Sequence, residues 1–177
     1  FYFNDHSQQR IEHAQPAQAP LAISPNGQRL AIPSQSSLQI FDLPTRKLIC
    51  EVKPPDSLLG RSLVWHPNNR YLAAAKYSGN RLILWDIEAG LELRQYEVNS
   101  DFFSLSFDSR GEYLFSCPLW GGERTIFDVE RQIAMLSLPI RSGELFRVSA
   151  KTGETMILAT DSREMKSVER FESPNVL

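Results

Sequence analysis

The sequence has few of the residues from which metal and nucleophilic sites are assembled. It holds 2 cysteines, Cys50 and Cys117, and 3 histidines, His6, His13 and His66, in 177 residues. The cysteines are far apart and no C-x-x-C occurs, so neither a zinc knuckle nor a disulfide framework is indicated. Two lone cysteines fit buried thiols in a reducing compartment, and the expected location is the cytoplasm. No G-x-S-x-G elbow, H-E-x-x-H helix or phosphate loop is present, so no catalytic residue, metal or cofactor is expected. No apolar run approaches membrane-spanning length, so no membrane partner is expected. Charge of one sign is lacking too. The 19 basic and 21 acidic side chains leave a formal net charge of −2. That excludes bulk electrostatic capture of nucleic acid. The first residue is Phe1 and not Met, which leaves targeting segments unread.

What is present is a period. Ile23, Trp65, Phe107 and Val148 are spaced 42, 42 and 41 apart. Each precedes a turn: Ser24-Pro25-Asn26-Gly27, His66-Pro67-Asn68-Asn69, Asp108-Ser109-Arg110-Gly111, and Thr152-Gly153. Self-similarity at this period is the mark of a repeat architecture. The turns are hairpin chemistry. Pro25 presets φ, and Gly27 and Gly111 suit a left-handed residue at the turn's end. Asn69 stands where the glycine would be and is the next most tolerant residue there.

Second strands are expected over Arg29–Ile32, Tyr71–Ala75, Glu112–Cys117 and Thr155–Thr160. Third strands are expected over Leu38–Phe41, Arg81–Trp85, Thr125–Phe127 and Met165–Val168. Leu82-Ile83-Leu84-Trp85 is apolar on both faces, which fits a strand sandwiched between two sheets. An acid follows each third strand: Asp42, Asp86, Asp128 and Glu169. A short acidic side chain there can accept from amides of the next turn. Gly90 helps the chain reverse into a more polar fourth strand, Leu91–Glu97.

An aromatic-Asp pair closing a third strand, with a Ser-Pro-Asn-Gly type hairpin before it, resembles the WD-repeat β-propeller family. The carriers are Gly27 with Phe41-Asp42, Asn69 with Trp85-Asp86, and Gly111 with Phe127-Asp128. The resemblance implies an all-β propeller of four-stranded antiparallel blades, about four repeats of roughly 42 residues. The family's Gly-His pair is replaced by Gly60-Arg61 and Gly143-Glu144. Its buried Asp is replaced by Ser36-Ser37, Gly79-Asn80 and Gly122-Glu123. Blade stability is therefore expected to rest on apolar packing.

The whole chain, 1–177, reads as one propeller or part of one. The units are 5–43, 44–87, 88–129 and 130–170, with a lead-in over 1–4 and a tail over 171–177. Arg10–Ala14 is expected as an outer strand, Gln15–Pro20 as a loop, and Pro54–Arg61 as the longest loop between repeats. The chain thus starts and ends inside a blade, leaving strand edges open. Three resolutions stand: further blades elsewhere, two or more copies joining, or four blades closing alone.

The expected function is a non-catalytic scaffold that binds a protein or peptide through loops on one face of the propeller. Trp120, between Leu119 and Gly121-Gly122, is the leading candidate anchor, because exposed Trp, Tyr and Arg dominate interfaces. Tyr77, Arg81 and Arg124 occupy comparable hairpin positions, and Arg61 lies in the adjoining loops. The alternative is a propeller enzyme or ligand binder, lactonase-like, with a cation on the central axis near Asp101 and Glu144. The channel positions near Leu21, Arg61, Phe103 and Leu145 are not uniformly acidic, which counts against it. A regulatory segment of a larger signalling protein is a third possibility. His66 is read as a turn residue and not as a ligand or base.

Overall fold

The computed structural model describes residues 21–33, 37–53, 59–76, 81–98, 103–118, 122–140, 145–150, 155–161 and 164–170. Among them every regular element is a strand. The first sheet takes β1 (Ala22–Ile23), β2 (Arg29–Pro33), β3 (Leu38–Asp42) and β4 (Leu48–Val52). The second takes β5 (Leu59–Trp65), β6 (Tyr71–Lys76), β7 (Arg81–Asp86) and β8 (Leu91–Glu97). The third takes β9 (Phe103–Phe107), β10 (Tyr113–Pro118), β11 (Gly122–Asp128) and β12 (Ile133–Ile140). A fourth, three-stranded sheet takes β13 (Leu145–Ala150), β14 (Thr155–Asp161) and β15 (Glu164–Arg170). Strand order follows the chain in all four, and every pairing is antiparallel. The expected all-β chain of four-stranded antiparallel units is thus present in three sheets.

The turns explain the repetition. Gly27, Asn69 and Gly111 all have left-handed φ, at 71°, 62° and 77°. In each turn that residue's N–H donates to the carbonyl three residues back, on Ser24, His66 and Asp108. A second left-handed set, Arg46, Gly90 and Gln132, sits before the fourth strands. Beside it the register slips by one residue between Ile40 and Phe41, Leu84 and Trp85, and Ile126 and Phe127. A turn ended by a left-handed residue and followed by a bulge is a regular hairpin solution.

Neighbouring sheets are held by apolar clusters. Ala22, Ala31, Leu38 and Ile40 of the first sheet pack with Trp65, Leu72, Ile83 and Trp85 of the second. The second sheet's other face gives Ala73, Ala75, Leu82 and Leu84, which pack with Leu105, Leu114 and Phe127 of the third. β7 is therefore buried on both faces, from Leu82 through Asp86. Burying each large aliphatic or aromatic side chain is worth roughly 1.5–3 kcal/mol.

Two differences from the expected elements have simple causes. β11 begins at Gly122, three residues before Thr125, so Gly122 is strand and not turn, and it pairs with Ile140. Glu112 stays outside β10, because the hairpin closes through the Asp108–Tyr113 backbone bond. The expected lead-in strand, the Arg10–Ala14 strand, the loop at Gln15–Pro20, residues 54–58 of the loop expected over Pro54–Arg61, and the tail lie outside the described residues. The end of that Pro54–Arg61 loop is strand instead, because β5 begins at Leu59, which pairs with Lys76.

The two turn glycines give a test. A Cβ on Gly27 meets nothing within 4 Å, so Gly27→Ala should cost only the left-handed penalty, about 1–2 kcal/mol. A Cβ on Gly111 would lie 2.0 Å from His66 Nε2. Gly111→Ala should therefore lose roughly a further 1–3 kcal/mol in urea unfolding, because the ring must give up its bond to the Gly111 carbonyl. The excess should shrink in a His66→Ala background. Equal losses for the two glycines would refute the close approach.

Candidate functional site

The acids after the third strands do what their spacing suggests. Asp42, Asp86 and Asp128 each accept from the N–H three residues on, at Thr45 (2.8 Å), Ala89 (3.2 Å) and Arg131 (2.7 Å). Asp86 also takes the Arg70 Nε–H at 2.9 Å and the Glu88 N–H at 3.1 Å. The hydrogen bond from Arg70, then the amides of Ala89 and Glu88, hold the Asp86 carboxyl below the usual carboxylate range against the cost of its burial. Asp42 is held low by the Thr45 hydroxyl and then by its amide. These carboxylates fasten turns, and their oxygens are committed.

His66 is built into a junction between sheets. The residue is 7% exposed. Nδ1 accepts from the Asn68 N–H at 3.1 Å, which leaves the proton on Nε2 to donate to the Gly111 carbonyl at 2.8 Å. Tyr71 and Phe107 meet the ring edge-on, with centroids 5.4 and 4.9 Å away. With both nitrogens in use, the ring is not free to act as a base.

Beside it lies a cleft of about 530 Å³, at the end of the second and third sheets that carries these turns. Its apolar walls come from Leu84 and Leu93 of the second sheet and Val129 and Met135 of the third. Tyr71 and Tyr113 add aromatic rings. The rim carries Arg110 paired with Glu112 at 3.9 Å, and Arg131 paired with Asp128 at 3.8 Å. Both arginines are half exposed, so the pairs are weak and can be traded for a ligand's charge.

Of the residues expected to form a binding face, only Arg81 and Arg124 have described side chains. Trp120 and Tyr77 lie outside the described residues, as do Asp101 and Glu144. Arg61 falls within β5. Arg81 is half-buried and donates to Gln95 Oε1 at 3.1 Å. Arg124 is 7% exposed, inside β11 and not on an exposed loop. Arg81 and Arg124 stand at or near the starts of β7 and β11, the opposite end of the sheets from the cleft. Gly27 and Gly111 end turns with left-handed φ, and Asp42, Asp86 and Asp128 end β3, β7 and β11, with Trp85 beside Asp86. Sequence reasoning missed the cleft because its rim residues sit in turns and form no motif.

No family model matches the chain, and no curated protein matches it. Among solved structures it is similar to a chain of Kuenenia stuttgartiensis hydrazine synthase, with 16% identity and a TM-score of 0.64. The match covers 86% of this chain and 48% of that one, so this chain spans about half that chain's length. The expectation of a non-catalytic scaffold is corrected by this likeness. It rested on repeats without catalytic motifs, and the same architecture occurs in an enzyme. The likeness carries the fold and no reaction, and 941 matching solved chains make the architecture widespread.

Among the described residues no group of three or more His, Cys, Asp or Glu side chains is placed to hold a metal. Cys50 and Cys117 are free and half-buried, and burial pushes the Cys50 thiol up. No helix among the described residues is long and apolar enough to cross a membrane.

Asp86 sets a pH dependence. Its folded carboxyl is held low, so its stabilisation is present above the ordinary carboxylate pKa, about 4, and is lost as pH falls through the folded value. Asp86→Asn should lower stability at pH 7 by on the order of 1–2 kcal/mol. The gap from the parent should close below about pH 4. Urea midpoints from pH 7 to 3 measure it, and a gap that stays constant to pH 3 would show that the carboxylate charge plays no part.

Proposed function

We propose that the sheets are consecutive blades of a β-propeller of the WD-repeat type, and that the protein is a propeller enzyme or ligand binder. The propeller is supported by like four-stranded sheets packed in chain order, each opening with the same left-handed turn. The enzyme or ligand-binding role is supported by the likeness to a hydrazine synthase chain, although its reaction is not carried over. The observation that carries the site is the cleft between the second and third sheets, lined by apolar and aromatic side chains together with charges of both signs. Concave surfaces that set convergent polar groups beside apolar walls are where small ligands bind. The class that fits is a small amphipathic molecule, its apolar body against Leu84, Leu93 and Met135 and its charged end at the arginines. A cation on the axis has no support among the described residues.

A panel of small aromatic acids and amines, followed by ligand-observed NMR, tests the cleft. Binding is expected for the acids. Leu93→Glu, which puts an acid into the cleft from a half-buried position on β8, should abolish it while leaving the melting temperature within a few degrees. No binding across the panel, or binding indifferent to Leu93→Glu, would end this reading.

A further inference from the structure

Each guanidinium of the cleft stands beside a carboxylate. Arg131 Nε lies 3.8 Å from Asp128 Oδ2, and Arg110 Nη1 lies 3.9 Å from Glu112 Oε1. Glu130 precedes Arg131 in the same turn and also lines the cleft. It is exposed and makes no ion pair among the described residues. His66 is neutral in its bonding, with one ring nitrogen accepting and the other donating. Among the described lining residues, the cations Arg110 and Arg131 therefore face three carboxylates, those of Glu112, Asp128 and Glu130.

The two pairs differ in how freely they rearrange. Arg110 and Glu112 are both more than half exposed, so either side chain can turn away into water. Asp128 is fixed. Its side chain is 14% exposed, and its Oδ1 accepts the Arg131 N–H at 2.7 Å. A ligand carboxylate that reaches Arg131 therefore meets a guanidinium already held beside Asp128, with Glu130 next to it in the chain. Like charges so close oppose the approach. A positive group on the same ligand removes that opposition and gives Glu130 a partner.

We propose that the ligand of this cleft carries both charges and is an apolar α-amino acid. Its carboxylate goes to Arg131, its ammonium to Glu130, and its side chain lies against Leu84, Leu93 and Met135. Opposite charges on adjacent residues suit opposite charges close together on the ligand, and an α-amino acid sets them on one carbon. A plain acid keeps the apolar walls and the arginine but leaves Glu130 opposed. A plain amine keeps Glu130 and leaves Arg131 unused. The ligand class rests on the reading of the cleft as the binding site, and it adds which small amphipathic molecules the cleft prefers.

Titration of the 177-residue chain with phenylalanine, phenylpropanoate and phenethylamine at pH 7, followed by ligand-observed NMR, is the test. The three probes share a ring and differ in which charges they carry. Phenylalanine is expected to bind about fivefold more tightly than either of the others, the worth of one rim ion pair. Glu130→Gln, at an exposed turn position, should erase its advantage over phenylpropanoate. Phenylpropanoate binding as tightly as phenylalanine overturns the two-charge ligand and leaves the cleft as a site for acids. Phenethylamine binding as tightly as phenylalanine overturns it as well, and so does a preference that survives Glu130→Gln. Binding by none of the three ends the reading of the cleft and the ligand class with it.

Discussion

Apolar contact between successive sheets is the constraint on which the rest of this structure depends. A sheet such as β5 to β8 is apolar on both faces, so it cannot stand alone in water. Its neighbours bury Leu72 and Trp85 on one side and Leu82 and Leu84 on the other, each to within 1% exposure. The fit is large against small: Trp65 and Trp85 meet Ala22 and Ala31, while Ala73 and Ala75 meet Leu105 and Phe127. Close packing makes such pairs sensitive to volume, so residue size must alternate from one sheet face to the next. The outer strands escape the demand, and β8 is largely exposed.

The turns serve that packing. A sheet can present the same face to its predecessor in every repeat only if each hairpin reverses with the same register. The left-handed residues at 27, 69 and 111 set the first reversal and those at 46, 90 and 132 set the third. Polar bonds then tie the hairpin ends of adjacent sheets. Asn69 Oδ1 accepts from the Asn26 N–H at 2.8 Å, and Arg29 reaches the Asn69 carbonyl at 3.1 Å. His66 continues the series by donating to Gly111. The residue types differ from junction to junction, yet each bond joins a turn to the equivalent turn one repeat along.

This is why the fold was legible and the site was not. Period, turn chemistry and the doubly apolar run at Leu82–Trp85 are local signals repeated along the chain, and each repetition checks the others. Asp42, Asp86 and Asp128 could be assigned to their turns because a carboxylate three residues before an amide has one nearby use. Arg124 shows the limit. As a charged residue near a hairpin it reads as exposed, but β11 extends back to Gly122 and carries it into the sheet. The length of that strand is set by its pairing with β12, a contact between residues such as Gly122 and Ile140 that no local pattern reports. His66 shows the same limit from the other side. Its turn position was legible, but the tie to Gly111 depends on which sheet lies next to it.

The cleft is a consequence of the same geometry. The cleft lies where the turn-bearing ends of the second and third sheets meet, and it is walled by whatever the turns and outer strands supply. Here the supply includes Leu93, Met135, two tyrosines, the paired charges of Arg110, Glu112, Asp128 and Arg131, and Glu130. The turn residues that line the cleft answer to left-handed φ and capping and not to core packing. Substituting them changes what the gap recognises and leaves the sheets in place. A fold of this kind can therefore recur in an enzyme and elsewhere with different residues at its junctions, and evidence about function has to come from those residues and not from the sheets that hold them.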